Sequence, residues 1–265
     1  MDRKALFFDI DGTLLSEITR TVPDSAVRAL EKARKRGHLV FINSGRTFCL
    51  TREFLKQVET DGCLCGCGTY IEAEGKALYH HQISLERCNR IKKDILAYGL
   101  DGVLEGWESC CMQKQVSKIP ATERLRQAVA ESGILTEHGW ENDSYVYDKF
   151  CVMADEQSDK AGFFKTLEPD IEVIDRGDDF YECVPKGHSK ATAIKMVLEH
   201  YGVALENAYV FGDSTNDLPM FEYAKHTVLM GKHDKELEAY AEFITRTVEE
   251  DGIAYAMKKL GIIEN

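Results

Sequence analysis

No stretch of this chain is apolar for long enough to span a bilayer, and none carries the run of basic residues that binds a phosphate backbone or an anionic lipid surface. Its 33 basic residues are outnumbered by 45 acidic ones, a net charge of −12, so the global field repels polyanions. No nucleic acid and no membrane are therefore expected among its partners. The opening residues, Met1 to Asp9, lack the apolar core of a signal peptide, which makes the cytoplasm the expected compartment. The nine cysteines are expected to be reduced thiols, because disulfide frameworks belong to small secreted domains. Paired Cys-x-x-Cys spacing is missing too. Cys63, Cys65 and Cys67 alternate instead, and on a strand they would stand roughly 6–7 Å apart on one face. That is too wide to share one zinc at about 2.3 Å each, so they are read as buried small residues. Internal repeats and low-complexity segments are also lacking.

Hydrophobic residues at 44% and charged residues at 29% describe an ordinary soluble globular chain. Short apolar runs supply its strands. Ala5-Leu6-Phe7-Phe8 stops at Asp9, Leu39-Val40-Phe41-Ile42 stops at Asn43, and Ala208-Tyr209-Val210-Phe211 stops at Gly212, each reading as a buried parallel strand. Helical spacing follows between Pro23 and Gly37 and again from Ser189 to Gly202, and a last helix carries Glu249, Glu250 and Asp251 at its start and Lys258 and Lys259 at its end. Strand, helix and strand at these intervals give right-handed βαβ units. The expected fold is α/β: a Rossmann-like three-layer core with a parallel sheet, built from residues 1–83 and 185–265. Residues 84–184 change texture, mixing amphipathic stretches with short strand-like runs, and are read as an inserted α/β domain that closes over the core as a cap.

Four features follow core strands or open a core helix, where open parallel sheets bind ligands. Asp9 and Asp11 flank one residue in a glycine-containing turn. A carboxylate can attack phosphorus only if its own charge and that of the phosphate are offset, which calls for a cation. Ser44 offers a hydroxyl and a backbone N–H to a phosphoryl oxygen, Lys190 a fixed positive charge. Gly212-Asp213-Ser214-Thr215-Asn216-Asp217 gathers the hard oxygen ligands that magnesium requires. Taken alone, Asp-x-Asp-Gly is an ordinary turn, Lys190 a solvated helix-start lysine and Asp217 a helix cap.

The ordered set, Asp9-Ile10-Asp11-Gly12-Thr13, Ser44-Gly45-Arg46, Lys190 and Gly212-Asp213 with Asn216-Asp217, resembles the four motifs of the haloacid dehalogenase superfamily of phosphohydrolases, and its Cof-like branch most closely. The large insertion between the second and third motifs matches that branch's cap, so the resemblance covers nearly the whole chain. It implies a Mg2+-dependent phosphatase acting on a small phosphorylated metabolite, a sugar phosphate or similar. Asp9 would be the nucleophile that becomes an aspartyl phosphate, and Asp11 the acid and base. Asp9, Asp11 (through its backbone carbonyl) and Asp213 would hold the metal. Ser44, Gly45, Lys190 and Asn216 would bind phosphate, with Asp217 orienting the metal shell or Lys190. A phosphomutase of the same superfamily and a non-enzymatic metabolite-binding regulator are the alternatives. Two departures bear on substrate: Cys67-Gly68 stands where the family usually has Asn-Gly, and Gly231-Lys232-His233 where it often has Gly-Asn-Ala. Trp107, Trp140 and Tyr145 are the candidates for stacking on a substrate ring, and His80, His81 and His188 fall near the crossings between core and insertion. Oligomeric state leaves no mark on the sequence.

Overall fold

Apolar runs of four or five residues, each ended by a polar residue or glycine, become the central strands. The computed structural model describes residues 2–264, and Met1 and Asn265 lie outside the described residues. In chain order the first elements are β1 (Ala5–Phe8), α1 (Asp24–Lys35), β2 (Leu39–Asn43), α2 (Phe48–Leu55), β3 (Gly62–Cys65), β4 (Tyr70–Ala73), β5 (Lys76–His80) and α3 (Leu85–Ala97). Then come β6 (Asp101–Glu105), β7 (Cys110–Cys111), α4 (Pro120–Glu131), β8 (Lys149–Met153), α5 (Lys160–Leu167), β9 (Ile171–Asp175) and β10 (Phe180–Pro185). The remaining elements are α6 (Lys190–Tyr201), β11 (Ala208–Gly212), α7 (Leu218–Tyr223), β12 (His226–Leu229), β13 (Phe243–Ile244) and α8 (Gly252–Lys259).

One compact unit comprises Met1–Gly45, Arg52–Tyr79 and Ser189–Asn265. Its sheet runs in the order β13-β12-β11-β1-β2-β3-β4-β5. The strands from β13 to β3 are parallel, and β4 returns antiparallel to β3. Both faces are covered. Phe7, Phe41, Leu64 and Val210 pack under Ala193, Ile194 and Val197 of α6 and Met220 and Phe221 of α7. The alternate residues Leu6, Phe8, Val40 and Ile42 are buried on the other face, where α1 lies against β2 and α8 lies against α1. Helix α1 turns Ala26, Ala29, Leu30 and Ala33 inward, the i, i+3, i+4, i+7 stripe its sequence carries. The α/β layering read from the sequence is what the structure shows. The C-terminal helix differs at its start: Thr247 bonds Glu250 to close a short 3-10 turn, and Asp251 adopts φ 61° before α8 begins at Gly252.

The register positions the site. In β1, Phe8 sits opposite Ile42 of β2 and Phe211 of β11, so the chain leaves all three strands along one edge and at nearly one level. Asp9, Ser44 and Asp213 follow those strands directly or within a residue.

The second unit comprises Arg46–Thr51 and His80–His188. These bounds lie a few residues outside 84–184 and take in the first half of α2. Its sheet, ordered β7-β6-β8-β10-β9, is antiparallel throughout. Ile91 and Ile95 of α3 and Phe163 and Leu167 of α5 pack with Leu104, Phe150, Val152 and Cys183 from the strands.

Candidate active site

Asp9, Asp213 and Asp217 each offer an oxygen within 4.8 Å of the others. Asp9 continues β1 by one residue, its N–H donating to the Phe211 carbonyl at 3.0 Å, before the chain turns. The Ile10 carbonyl then accepts from Thr13, Leu14 and Leu15, folding residues 10–15 into a tight loop. Gly12 has φ +79°, and a Cβ there would collide with the Asp213 carboxylate, so only glycine lets the β1 loop lie against the β11 loop. Thr13 fastens the two, donating its hydroxyl to Asp213 Oδ1 at 2.8 Å. Asp11 is half-buried in the same loop.

Lys190 opens α6, where Ser189 forms a capping box with Thr192. Its ammonium is 0% exposed and donates to Asp9 Oδ1 at 2.7 Å and Asp217 Oδ1 at 2.5 Å, with Asn216 Oδ1 at 3.4 Å. The other Asp217 oxygen accepts the backbone N–H groups of Asp213 at 2.9 Å and Ser214 at 3.2 Å. One carboxylate thus grips both the lysine and the loop that carries Asp213. Asn216 Oδ1 also accepts the Ser214 hydroxyl at 3.0 Å. Ser44 is buried at the end of β2, but its N–H donates to the Leu64 carbonyl at 2.8 Å. The expectation that its amide faces phosphate is therefore corrected: parallel pairing with β3 consumes the N–H. Gly45 follows it and is buried.

Crowding sets the electrostatics. Burial pushes the Asp9 carboxyl up to about 7, against the pull of Lys190 and with added repulsion from Asp217. Burial likewise raises Asp213 to about 8, with Asp9 and Asp217 adding to it and Thr13 opposing. For Lys190 burial works against the charge, yet Asp217 and Asp9 overturn it and hold the ammonium above its usual range. Two carboxylates that resist ionising so close together are what a hard divalent cation relieves. Asp217 spends both oxygens on Lys190 and loop amides, so Asp9 and Asp213 are the side chains that fit as metal ligands.

The sequence profile of the haloacid dehalogenase-like hydrolases matches residues 6–257. The chain belongs to that family. It is 29% identical over 266 residues to YkrA of Bacillus subtilis (strain 168), provisionally named a phosphatase, with 100% of both chains covered. It is 25% identical over 261 residues to the 5-amino-6-(5-phospho-D-ribitylamino)uracil phosphatase YitU of the same organism, covering 95% of each. Among solved structures it resembles the HAD subclass IIB sugar phosphatase BT4131 at a TM-score of 0.82 and 26% identity, over 98% of this chain and 100% of that one. As a member of this family the protein is an enzyme, a phosphoric monoester hydrolase, and the non-enzymatic alternative falls away.

The two departures from the family pattern sit in defined local settings. Cys67 stands at φ 54°, a left-handed conformation that asparagine tolerates better than cysteine, and its N–H donates to the Ser44 carbonyl at 3.2 Å. Lys232 pairs with Glu17 at 2.8 Å, and His233 bonds the Met230 carbonyl at 2.6 Å, so both side chains are occupied where they sit. Sequence reading missed Thr13 in its role on Asp213, Asn43, and Asp234, which donates to the Asp213 carbonyl at 2.8 Å and accepts from Thr215 N–H at 2.9 Å. Asp234 alone left a signal, as an acidic residue a few positions past β12.

In the second unit the ring candidates separate. Trp140 donates its indole N–H to the Cys111 carbonyl at 3.3 Å and Tyr145 its hydroxyl to the Ser109 carbonyl at 2.6 Å, so both are built into the fold. Trp107 stacks on Phe48 with ring centres 5.9 Å apart, and the His81 and His188 rings stand 4.4 Å apart. Unforeseen from the sequence is the buried Lys149 ammonium between Glu182 at 2.6 Å and Glu105 at 3.2 Å. Alternation along β6, β8 and β10 puts these residues on one sheet face. No helix among the described residues is long and apolar enough to cross a membrane.

Proposed function

We propose that the protein is a Mg2+-dependent phosphatase that releases phosphate from a small metabolite, a sugar phosphate or similar, through an aspartyl phosphate on Asp9. The observation that carries this reading is Asp9 itself: a buried carboxylate held by a lysine at 2.7 Å, beside a second carboxylate suited to a metal. An Asp9 oxygen attacks phosphorus as the bond to the ester oxygen breaks, and Asp11 gives that departing oxygen a proton. Asp11 then takes a proton from a water that attacks the aspartyl phosphate, which frees inorganic phosphate and restores Asp9. Lys190 and the Ser44 hydroxyl, with Gly45 and the Asn216 amide beside them, neutralise and orient the transferring oxygens. Magnesium, held by the Asp9 and Asp213 carboxylates and the Asp11 carbonyl, would offset the charge of phosphate against nucleophile. Asp217 keeps Lys190 and the Asp213 loop in place.

The names of YitU and BT4131 support a phosphorylated sugar or polyol as substrate class, and we assign choice of leaving group to the cap, residues 84–184. Nine free cysteines, all buried, agree with a reducing compartment, and we place the protein in the cytoplasm. Activity on p-nitrophenyl phosphate and on sugar phosphates, with release of inorganic phosphate, should vanish in EDTA and return with magnesium. Full turnover after rigorous chelation sinks the reading, and phosphate kept on the substrate would make the protein a mutase.

Thermal stability gives a second check. Asp9 and Asp213 are raised in the fold, so their contribution is fully present below the unfolded carboxylate value of about 4. It is lost as pH rises through about 7 and about 8. The metal-free protein should therefore weaken across that window. Magnesium binds the ionised carboxylates, so its stabilisation should be large at pH 8.5 and small at pH 5.5. At ten- to thirtyfold over Kd we expect about 1–2 kcal/mol, or about 3–6 °C in Tm, at the higher pH. An equal magnesium shift at both pH values removes Asp9 and Asp213 as the ligands.

A further inference from the structure

Asn43, the last residue of β2, is completely buried, and its Nδ2 donates to the main-chain carbonyl of Lys190 at 3.1 Å, with Met220 Sδ at 3.6 Å. Because the partner is a carbonyl, only the nitrogen end of the amide can face it. The other end, Oδ1, is buried without a hydrogen-bond partner. An unmatched buried acceptor works against folding, so a leucine of similar size would suit this core position better. We propose that Asn43 is a positioning residue for Lys190, holding the first turn of α6 against the end of β2 so that the ammonium reaches Asp9 and Asp217. The inference rests on the phosphatase reading for its catalytic consequence, though not for its geometry.

Two other contacts place α6 without gripping the lysine's own peptide. The capping box, with Ser189 Oγ accepting from Thr192 N at 3.2 Å and Ser189 N donating to Thr192 Oγ1 at 2.9 Å, decides where the helix begins. Gly68, at φ +89°, allows the turn after β3 to approach: a Cβ there would lie 2.6 Å from the Ser189 carbonyl. Asn43 ties the end of β2 to the peptide of Lys190 itself. Since Ser44 is the next residue, that single amide couples the placement of the hydroxyl to the placement of the ammonium. A flexible lysine meeting two carboxylates at 2.7 and 2.5 Å depends on where its Cα is held.

The test is Asn43→Leu, with Asn43→Ser, too short to reach the carbonyl, as the second variant should the first fold poorly. With p-nitrophenyl phosphate, kcat should fall about 10- to 100-fold, the scale of a small misplacement of a charged group. KM should move less than about threefold. Tm should be unchanged or higher, because the unmatched oxygen is gone. In a Lys190→Met background the same substitution should cause no further loss, since the group it positions is absent. Equal losses in both backgrounds, or no loss in the wild-type background, overturn the proposal. Backbone hydrogen exchange provides a reading independent of activity: amides in the first turn of α6 should exchange faster in Asn43→Leu, with the rest of the helix unchanged. If the wild-type protein hydrolyses no phosphomonoester, the phosphatase reading is what fails, and exchange alone judges Asn43. Unaltered exchange at that turn overturns the positioning role.

Discussion

An Asp9→Asn variant is expected to lose turnover with every phosphomonoester, by roughly 10⁴- to 10⁶-fold, with no phosphoenzyme formed. The change nearly preserves shape, and the asparagine oxygen still accepts from Lys190, which keeps Asp217 as counter-charge at 2.5 Å. The fold should survive, and the sign of the stability change separates chemistry from damage. Burial raises Asp9 to about 7, so in the metal-free protein its contribution to stability falls as pH rises from about 4 through that value. Asparagine cannot ionise. Metal-free Asp9→Asn should gain on wild-type Tm between about pH 4 and pH 8.5, while the gain from magnesium shrinks. Residual turnover within tenfold of wild type, in protein of that stability, would show that another residue attacks phosphorus.

Asp11→Asn should divide substrates by leaving group. An alkoxide departs poorly without a proton, whereas p-nitrophenolate needs little help. The first step with sugar phosphates should fall by about 10²–10⁴-fold, the usual scale of general acid–base assistance. With p-nitrophenyl phosphate that step should fall less. Loss of the base then slows hydrolysis of the intermediate, so the aryl substrate should give a burst of nitrophenol and an accumulated aspartyl phosphate on Asp9. Magnesium binding should persist, because the proposed contact from Asp11 is its backbone carbonyl. Wild-type rates on both substrate classes would remove Asp11 from the acid–base role, and equal losses on both would point to a shared defect in positioning.

Much of this protein is written locally in its chain. Ala5–Phe8, Leu39–Asn43 and Ala208–Gly212 are short apolar runs that end at polar residues or glycine, the pattern of buried parallel strands. Asp9, Ser44 and Asp213 stand where such strands end, so the edge that carries the candidate site was legible, as was the lysine at the start of α6. The family motifs are visible for the same reason: each is a short segment whose turn chemistry and side chains belong together.

Relations between distant segments were not legible. Parallel pairing with β3 took the Ser44 amide, a fact about Leu64 rather than about Ser44. Asp217 proved to serve Lys190 and the Asp213 loop at once, and Thr13 to fasten Asp213, from 200 residues away. Asn43 reads as one polar residue ending a strand until α6 brings the Lys190 carbonyl to it across 147 residues. Lys149 has no local signal of its burial, and β6 and β10 bring Glu105 and Glu182 alongside it. Strand and turn preferences depend on a residue and its near neighbours, so the sequence alone determined the elements, their ends and the types of group at the edge. Partners for buried polar atoms depend on which segments packing brings within about 3 Å, and only the tertiary structure decided those.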